Sequence, residues 1–259
     1  MRKFRKPLVA AVGAVTLSLI ASGPATAAGP NVEIPNQHWS HGGLFGTYDR
    51  AALRRGFTVY KNVCAGCHGL RLVAYRNLMD VGFSENEVKA IAAEVEVQDG
   101  PNDDGEMFER PGLPSDRFKS PFPNANAARA SNNGAYPPDL SLIVKARPGG
   151  VDYLYSILTG YKEAPAGTTV PDGMHYNAYY AGHMIAMPAP LSADGVEYAD
   201  KTKATVEQQA KDISVFLAWA AEPELDERKR MGIKVILFLM LLAGLFYVVK
   251  RRLWADVRH

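Results

Sequence analysis

Cysteine is nearly absent: the 259 residues contain two, Cys64 and Cys67, so no disulfide framework can tie distant parts of the chain together. No internal repeat or low-complexity tract occurs either, which excludes a solenoid or a repeat array. Acidic residues are missing from positions 1–27, and Asp256 is the only one after position 227. The formal net charge of +2 hides this split, because four of the 29 basic residues lie in positions 1–27 and eight in positions 228–259. The stretch between them keeps 17 basic against 26 acidic residues, a surplus of nine negative charges. Such a section disfavours nucleic acid and suits a basic partner.

The two ends read as membrane signals. Arg2, Lys3, Arg5 and Lys6 precede an apolar run from Leu8 to Ile20, and small residues at 25–28 complete the pattern of a secretory signal peptide over residues 1–27. That run is short for a bilayer span. Residues 231–249, MGIKVILFLMLLAGLFYVV, carry one charge, Lys234, whose long stem can reach back to the headgroups. Arg228, Lys229 and Arg230 before it, with Lys250, Arg251 and Arg252 after it, have no place around a buried core helix. Both flanks are basic, so the signal peptide sets the orientation. Residues 28–227 are expected as an exported, periplasmic head, residues 231–249 as a single anchor in a bacterial inner membrane, and residues 250–259 as a cytoplasmic tail.

The cysteines stand in Val63-Cys64-Ala65-Gly66-Cys67-His68, the attachment signature of a c-type haem. Each thiol adds across one haem vinyl group, two intervening residues set the sulfurs at the vinyl separation, and the following histidine lies under the iron. A thioredoxin-type couple wants an alternating strand and helix pattern, and zinc wants further cysteine or paired histidine ligands; neither surrounds residue 64. A plain disulfide leaves His68 without a role.

A sixth iron ligand is sought outside the cytoplasm, among methionines and remaining histidines. Met187 is the first choice, because it sits between small residues in a loop stiffened by Pro188 and Pro190. Met184 is its main rival, with His183, His175 and Met174 behind, since a methionine is commonly core filler. A thioether ligand raises the reduction potential relative to a second imidazole.

Helical spacing appears in residues 50–63, where Leu53, Phe57 and Tyr60 form a stripe after Asp49 or Thr47 as cap. Thr205-Val206-Glu207-Gln208 announces a second helix, obliged to stop before Pro223. Between them Gly, Pro and Asn dominate, and few regular elements are expected apart from a helix over residues 150–159. Residues 85–109 hold nine acidic side chains against Lys89, a docking face for a basic protein or a solvated, self-repelling insertion.

Several segments resemble the cytochrome c1 family: residues 55–60, residues 98–102, the long stretch 128–141 (ARASNNGAYPPDLS), Ile185-Ala186-Met187-Pro188, and residues 219–224 and 228–232 before the membrane. The resemblance covers nearly the whole mature chain. It implies a mainly α, class I c-type cytochrome head with long loop insertions, one covalently bound haem c, and one C-terminal transmembrane helix. It places the axial methionine on Met187 and gives the Pro138 carbonyl the task of orienting His68. Asn132, Arg147 and Tyr153 fall at the haem edge, Arg147 offsetting a propionate. Some bacterial members brace the methionine loop with an extra disulfide, for which this chain has no cysteine left.

The expected role is that of a redox subunit rather than an enzyme in its own right. It would take one electron from the Rieske iron-sulfur protein, beside cytochrome b, and reduce a soluble or tethered cytochrome c. The alternatives are a cytochrome subunit of a terminal oxidase, and a haem sensor or peroxidase with an exchangeable iron site.

Overall fold

The computed structural model describes residues 32–257; the predicted signal peptide lies outside the described residues. Helix α1 (Arg50–Val59) begins where Asp49 Oδ1 accepts the Ala51 and Ala52 N–H groups at 2.9 and 3.4 Å. Of the two caps expected, Asp49 does the work. The predicted stripe is buried, with Leu53, Phe57 and Tyr60 almost fully shielded. Instead of ending, α1 widens into a π turn over Tyr60–Cys64, in which the Ala65 N–H donates to the Tyr60 carbonyl five residues back at 2.8 Å. π turns recur at functional sites because they re-aim the residues they carry. Here the turn delivers Cys64.

Residues 75–131 hold more regular structure than their composition suggests. A short turn leads into α2 (Leu78–Val81), followed by α3 (Glu85–Ala93), strands β1 (Glu96–Asp99) and β2 (Phe108–Pro111), and α4 (Ala125–Ser131). The expectation of few regular elements there apart from residues 150–159 is therefore corrected. Ser84 and Glu87 close a reciprocal capping box at the start of α3, and β1 pairs antiparallel with β2 in the register Glu96 to Pro111.

After α5 (Ile143–Ala146), helix α6 (Gly150–Thr159) has the predicted limits. A small hairpin, β3 (His175–Tyr176) with β4 (Met184–Ile185), then interrupts a long loop. Helix α7 (Val206–Ala221) starts on Thr205, whose Oγ1 accepts the Gln208 N–H at 3.1 Å, and it stops before Pro223 as expected. From Gln209 onward α7 is buried on nearly every side, making it the central rod of the core.

Helix α1 crosses α7 closely. A Cβ at Gly56 would stand 2.2 Å from the Asp212 carbonyl oxygen and 2.6 Å from the Phe216 Cβ, so glycine is what lets the backbones meet. Around the crossing, Phe57, Tyr60, Phe118 and Phe216 stack edge to face or tilted, with centroids 5.7–6.2 Å apart. Arg55 adds a paired bond to Asp212, at 2.9 Å from Nε and 3.0 Å from Nη2. The crossing thereby fixes the end of α1 that carries the cysteines.

Helix α8 (Leu225–Leu253) is 29 residues long and is the one element among the described residues long and apolar enough to cross a membrane. At 1.5 Å per residue it extends about 43 Å. It begins at Leu225, before the predicted span, and Leu225 is itself buried in the head. The buried Leu225 and the apolar segment 231–249 thus share one continuous helix.

Candidate haem site

Cys64 and Cys67 are both free thiols, Cys64 half-buried and Cys67 exposed. Burial pushes the Cys64 thiol up to about 12, with the neighbouring Cys67 a smaller contribution. A thiol held protonated is a poor redox nucleophile, which weighs against a thioredoxin-type couple. The Cys67 and His68 N–H groups both return to the Cys64 carbonyl, at 3.1 and 2.9 Å, so the motif forms one tight turn.

His68 Nδ1 lies 2.7 Å from the Pro138 carbonyl oxygen. A carbonyl can only accept, so Nδ1 carries the proton and Nε2 keeps its lone pair. Burial holds the imidazole below its ordinary pKa, opposed by the Pro138 hydrogen bond and by Asp139, so the ring stays neutral. The pairing of two distant segments makes this contact possible. Leu140 N–H donates to the Gly69 carbonyl at 2.8 Å, Arg71 N–H to Asp139 Oδ2 at 3.0 Å, and Leu72 N–H to Ser141 Oγ at 3.1 Å. Leu72, Tyr136 and Leu142, on or next to these paired segments, leave large apolar side chains exposed. Two free thiols, a neutral imidazole with a free Nε2 and bordering apolar surface fit a covalently attached porphyrin.

Met187 is held through its backbone: Tyr161 Oη donates to the Met187 carbonyl at 2.9 Å. The loop before it hangs on Asn177, which is fully buried. Asn177 Nδ2 donates to the Ile157 carbonyl at 2.8 Å, and its Oδ1 accepts the Tyr179 N–H at 3.0 Å. The Asn177 N–H donates to the His183 carbonyl at 2.8 Å, and the Ala178 N–H to the Gly160 carbonyl at 2.9 Å. These bonds clamp the loop to the C-terminal end of α6. Neither Tyr161 nor Asn177 carried a signal in the sequence.

The rivals to Met187 lie in or beside the β3–β4 hairpin. Met184 pairs with Tyr176 and His175 with Ile185 across the β3–β4 hairpin, and the His183 ring stacks on Tyr176 at 5.6 Å with Nδ1 3.3 Å from the Asn177 carbonyl. Met174 is half-buried, its N–H donating to the Pro171 carbonyl at 3.1 Å. Asn132 donates from Nδ2 to the Ala128 carbonyl at 2.7 Å, closing the end of α4. Arg147 is exposed, and its charge lowers the Tyr153 phenol against the larger, raising effect of burial. The structure thus joins His68 to Pro138 and sets Arg147 beside Tyr153, while Asn132 serves its own helix.

The acidic insertion is folded. Glu85 pairs with Lys89 at 2.6 Å, Glu87 with Arg54 at 2.7 Å, Glu94 with Lys61, and Asp99 with Arg110. At the hairpin tip Asn102 Oδ1 accepts the Asp104 and Glu106 N–H groups at 3.0 and 2.9 Å. Asp103, Asp104 and Glu106 are left exposed on an ordered loop.

Residues 39–257 match the Cytochrome C1 family. Cytochrome c1 of Rhodospirillum rubrum is 46% identical over 265 residues, covering 96% of this chain and 97% of that protein. The Arabidopsis thaliana protein named cytochrome c1 1, heme protein, mitochondrial, is 53% identical over 247 residues, 95% of this chain and 80% of its own length. A Bradyrhizobium diazoefficiens protein named cytochrome b/c1 is 46% identical over 276 residues, 95% of this chain and 40% of its own length. With identity at this level across a chain whose one cysteine pair adjoins a histidine held by a backbone carbonyl, the protein belongs to the cytochrome c1 family, whose cofactor is haem c.

Proposed function

We propose that this chain is the electron-transfer subunit of a quinol-cytochrome c reductase (bc1) complex, taking one electron from the Rieske iron-sulfur protein and reducing a c-type cytochrome. The observation that carries the reading is the free cysteine pair beside a His68 ring whose Nδ1 is committed to Pro138 at 2.7 Å. Haem c, when bound, supplies a one-electron couple. Cys64 and Cys67 would hold it through thioethers, His68 Nε2 and the Met187 sulfur would ligate its iron, and Pro138 would keep His68 in the ligating tautomer. Asn132 and Tyr153 would line its edge, and Arg147 would offset a propionate charge.

No substrate bond is made or broken by these residues, so the subunit acts only within its complex. Cytochrome b is the expected neighbour, a reading supported by the relative named cytochrome b/c1. The head, residues 28–227, stands in the periplasm, residues 231–249 cross the inner membrane, and residues 250–259 enter the cytoplasm. Asp103, Asp104 and Glu106 form the landing surface for a basic cytochrome.

Purification of the native assembly from membranes tests the proposal. A b-type haem and an iron-sulfur protein should accompany this chain, whose tryptic peptide around residue 64 should carry the mass of one haem. Copper and an oxidase in their place would overturn it.

A further inference from the structure

The loop at residues 42–46 displays Leu44 and Phe45 at 63% and 77% exposure, the latter the most exposed of the large apolar side chains described in this chain. It carries no charged residue and is bounded by Gly42, Gly43 and Gly46. Its neck is tight: a Cβ on Gly46 would lie 2.0 Å from the Gly42 carbonyl oxygen and 2.6 Å from that of Ser40. The two apolar side chains therefore occupy the tip of a closed turn.

The contacts of this segment with α8 and the chain just before it run in order, and they give the turn its direction. Tyr48 Oη donates to the Glu222 carbonyl at 3.2 Å, and the Tyr48 N–H donates to Asp226 Oδ1 at 3.2 Å. Lys229 Nζ then donates to the Gly46 carbonyl at 2.9 Å and to the His41 carbonyl at 2.7 Å. On the far side, Trp39 Nε1 donates to Asp152 Oδ1 of α6 at 2.7 Å, inside the head. The chain thus leaves α6, turns past the two carbonyls that Lys229 holds, and returns toward Glu222. Beyond Lys229 the helix becomes the apolar shaft that begins at Met231.

At about 1.5 Å per residue, residues 231–249 match a hydrocarbon layer about 30 Å thick, which sets the bilayer surface near Met231. We propose that Leu44 and Phe45 form a second membrane contact, an uncharged wedge inserted among lipid headgroups and upper acyl chains beside the anchor helix. The flanking Arg230, which is exposed, suits anionic headgroups at that level, whereas Arg228 is paired with Glu222. Lys229, bonded to two loop carbonyls, fixes the wedge relative to the shaft, so head and anchor meet the bilayer as one body. The inference rests on the reading of α8 as the membrane anchor.

Photo-crosslinking tests both and keeps them apart. The haem-loaded full chain, carrying a benzophenone amino acid in place of Phe45, is reconstituted in vesicles of phosphatidylcholine and phosphatidylglycerol. The same label replaces Phe238 in the shaft and Asp103 at the hairpin tip, and each variant is accepted as folded on its haem spectrum. The expected result is lipid adducts at positions 45 and 238, several-fold above position 103. Adducts at 238 with position 45 no better than 103 would overturn the wedge while leaving the anchor intact. Adducts at neither position would overturn both. The position 45 label is repeated in native membranes, where lipid adducts are again expected, and where a crosslink to another protein subunit in place of lipid would assign the loop to a protein interface and overturn the proposal.

Discussion

Tyr161 donates its phenol hydrogen to the carbonyl oxygen of Met187 at 2.9 Å, so the methionine expected on the iron is positioned through its own backbone by a residue 26 positions earlier. A net hydrogen bond of this kind contributes about 1 kcal/mol. Tyr161→Phe keeps the ring and removes the bond. The variant should bind carbon monoxide in the reduced state more readily than the parent, because a looser loop lets sulfur leave the iron more often. Carbon monoxide affinity and reduction potential both equal to the parent's would show that the bond does not brace the ligand.

Replacement of the proposed ligand separates Met187 from Met184. Met187→His and Met187→Leu should lower the haem potential, within the range of about 0.8 V that axial ligation controls. Met184 belongs to the β3–β4 hairpin opposite Tyr176, so Met184→Leu should leave the potential unchanged. A potential that follows Met184 and ignores Met187 would reverse the assignment.

Where neighbours along the chain decide the structure, the sequence was readable. Asp49 and the Leu53, Phe57, Tyr60 stripe announced α1, and Thr205 with Pro223 bounded α7. The π turn had no such mark, because five-residue hydrogen bonding is imposed by what the turn must reach. The acidic insertion could be read as a docking face or as a self-repelling loop, but its folded order was hidden, since charge density masked the Ser84 and Glu87 box and the partners Arg54 and Arg110. At the site, the cysteine spacing carried the chemistry, whereas Asn177 and Tyr161 act across 20 and 26 residues on backbone carbonyls, which leaves no pattern to read. Pro138 came from family resemblance alone, its contact with His68 spanning 70 residues.

The joint between α1 and α7 depends on Arg55, whose side chain is 15% exposed over an Asp212 that is 1% exposed. The bidentate bond and burial together make Asp212 a costly charge to strand. Arg55→Met should destabilise the head by about 3–5 kcal/mol, the range for breaking a buried pair from one side. Arg55→Met combined with Asp212→Leu should recover part of that loss. Chemical denaturation followed at the haem band measures both; equal stability of the single variant and the parent would remove the pair from the core's support.

Asp200 gives the head an acid-sensitive component. The Thr202 N–H, at 3.0 Å, and then Arg55 Nη1, at 2.8 Å, hold its carboxyl down at about 2. A carboxyl lowered on folding stabilises the native state above its unfolded pKa, and that contribution disappears as pH falls through the folded value. Asp200→Asn should therefore melt below the parent at neutral pH, with the gap closing between the ordinary aspartate range and about pH 2. Melting temperatures across that window decide the matter, and a gap that does not change with pH would mean that Asp200 acts through packing alone.

The hairpin tip supplies the last prediction. Asp103, Asp104 and Glu106 stand exposed on a loop organised by Asn102, whereas Glu87 is already engaged by Arg54 at 2.7 Å. Free charges on an ordered tip steer an oppositely charged partner; a paired charge contributes little to the outer field. Neutralising the three as Asp103→Asn, Asp104→Asn and Glu106→Gln should slow reduction of a basic cytochrome about tenfold at low ionic strength, with a shallower dependence on salt. Glu87→Gln should leave that rate where it was. Stopped-flow reduction over a salt series reads both effects, and a triple variant with the parent's rate and salt slope would move the landing surface elsewhere on the head.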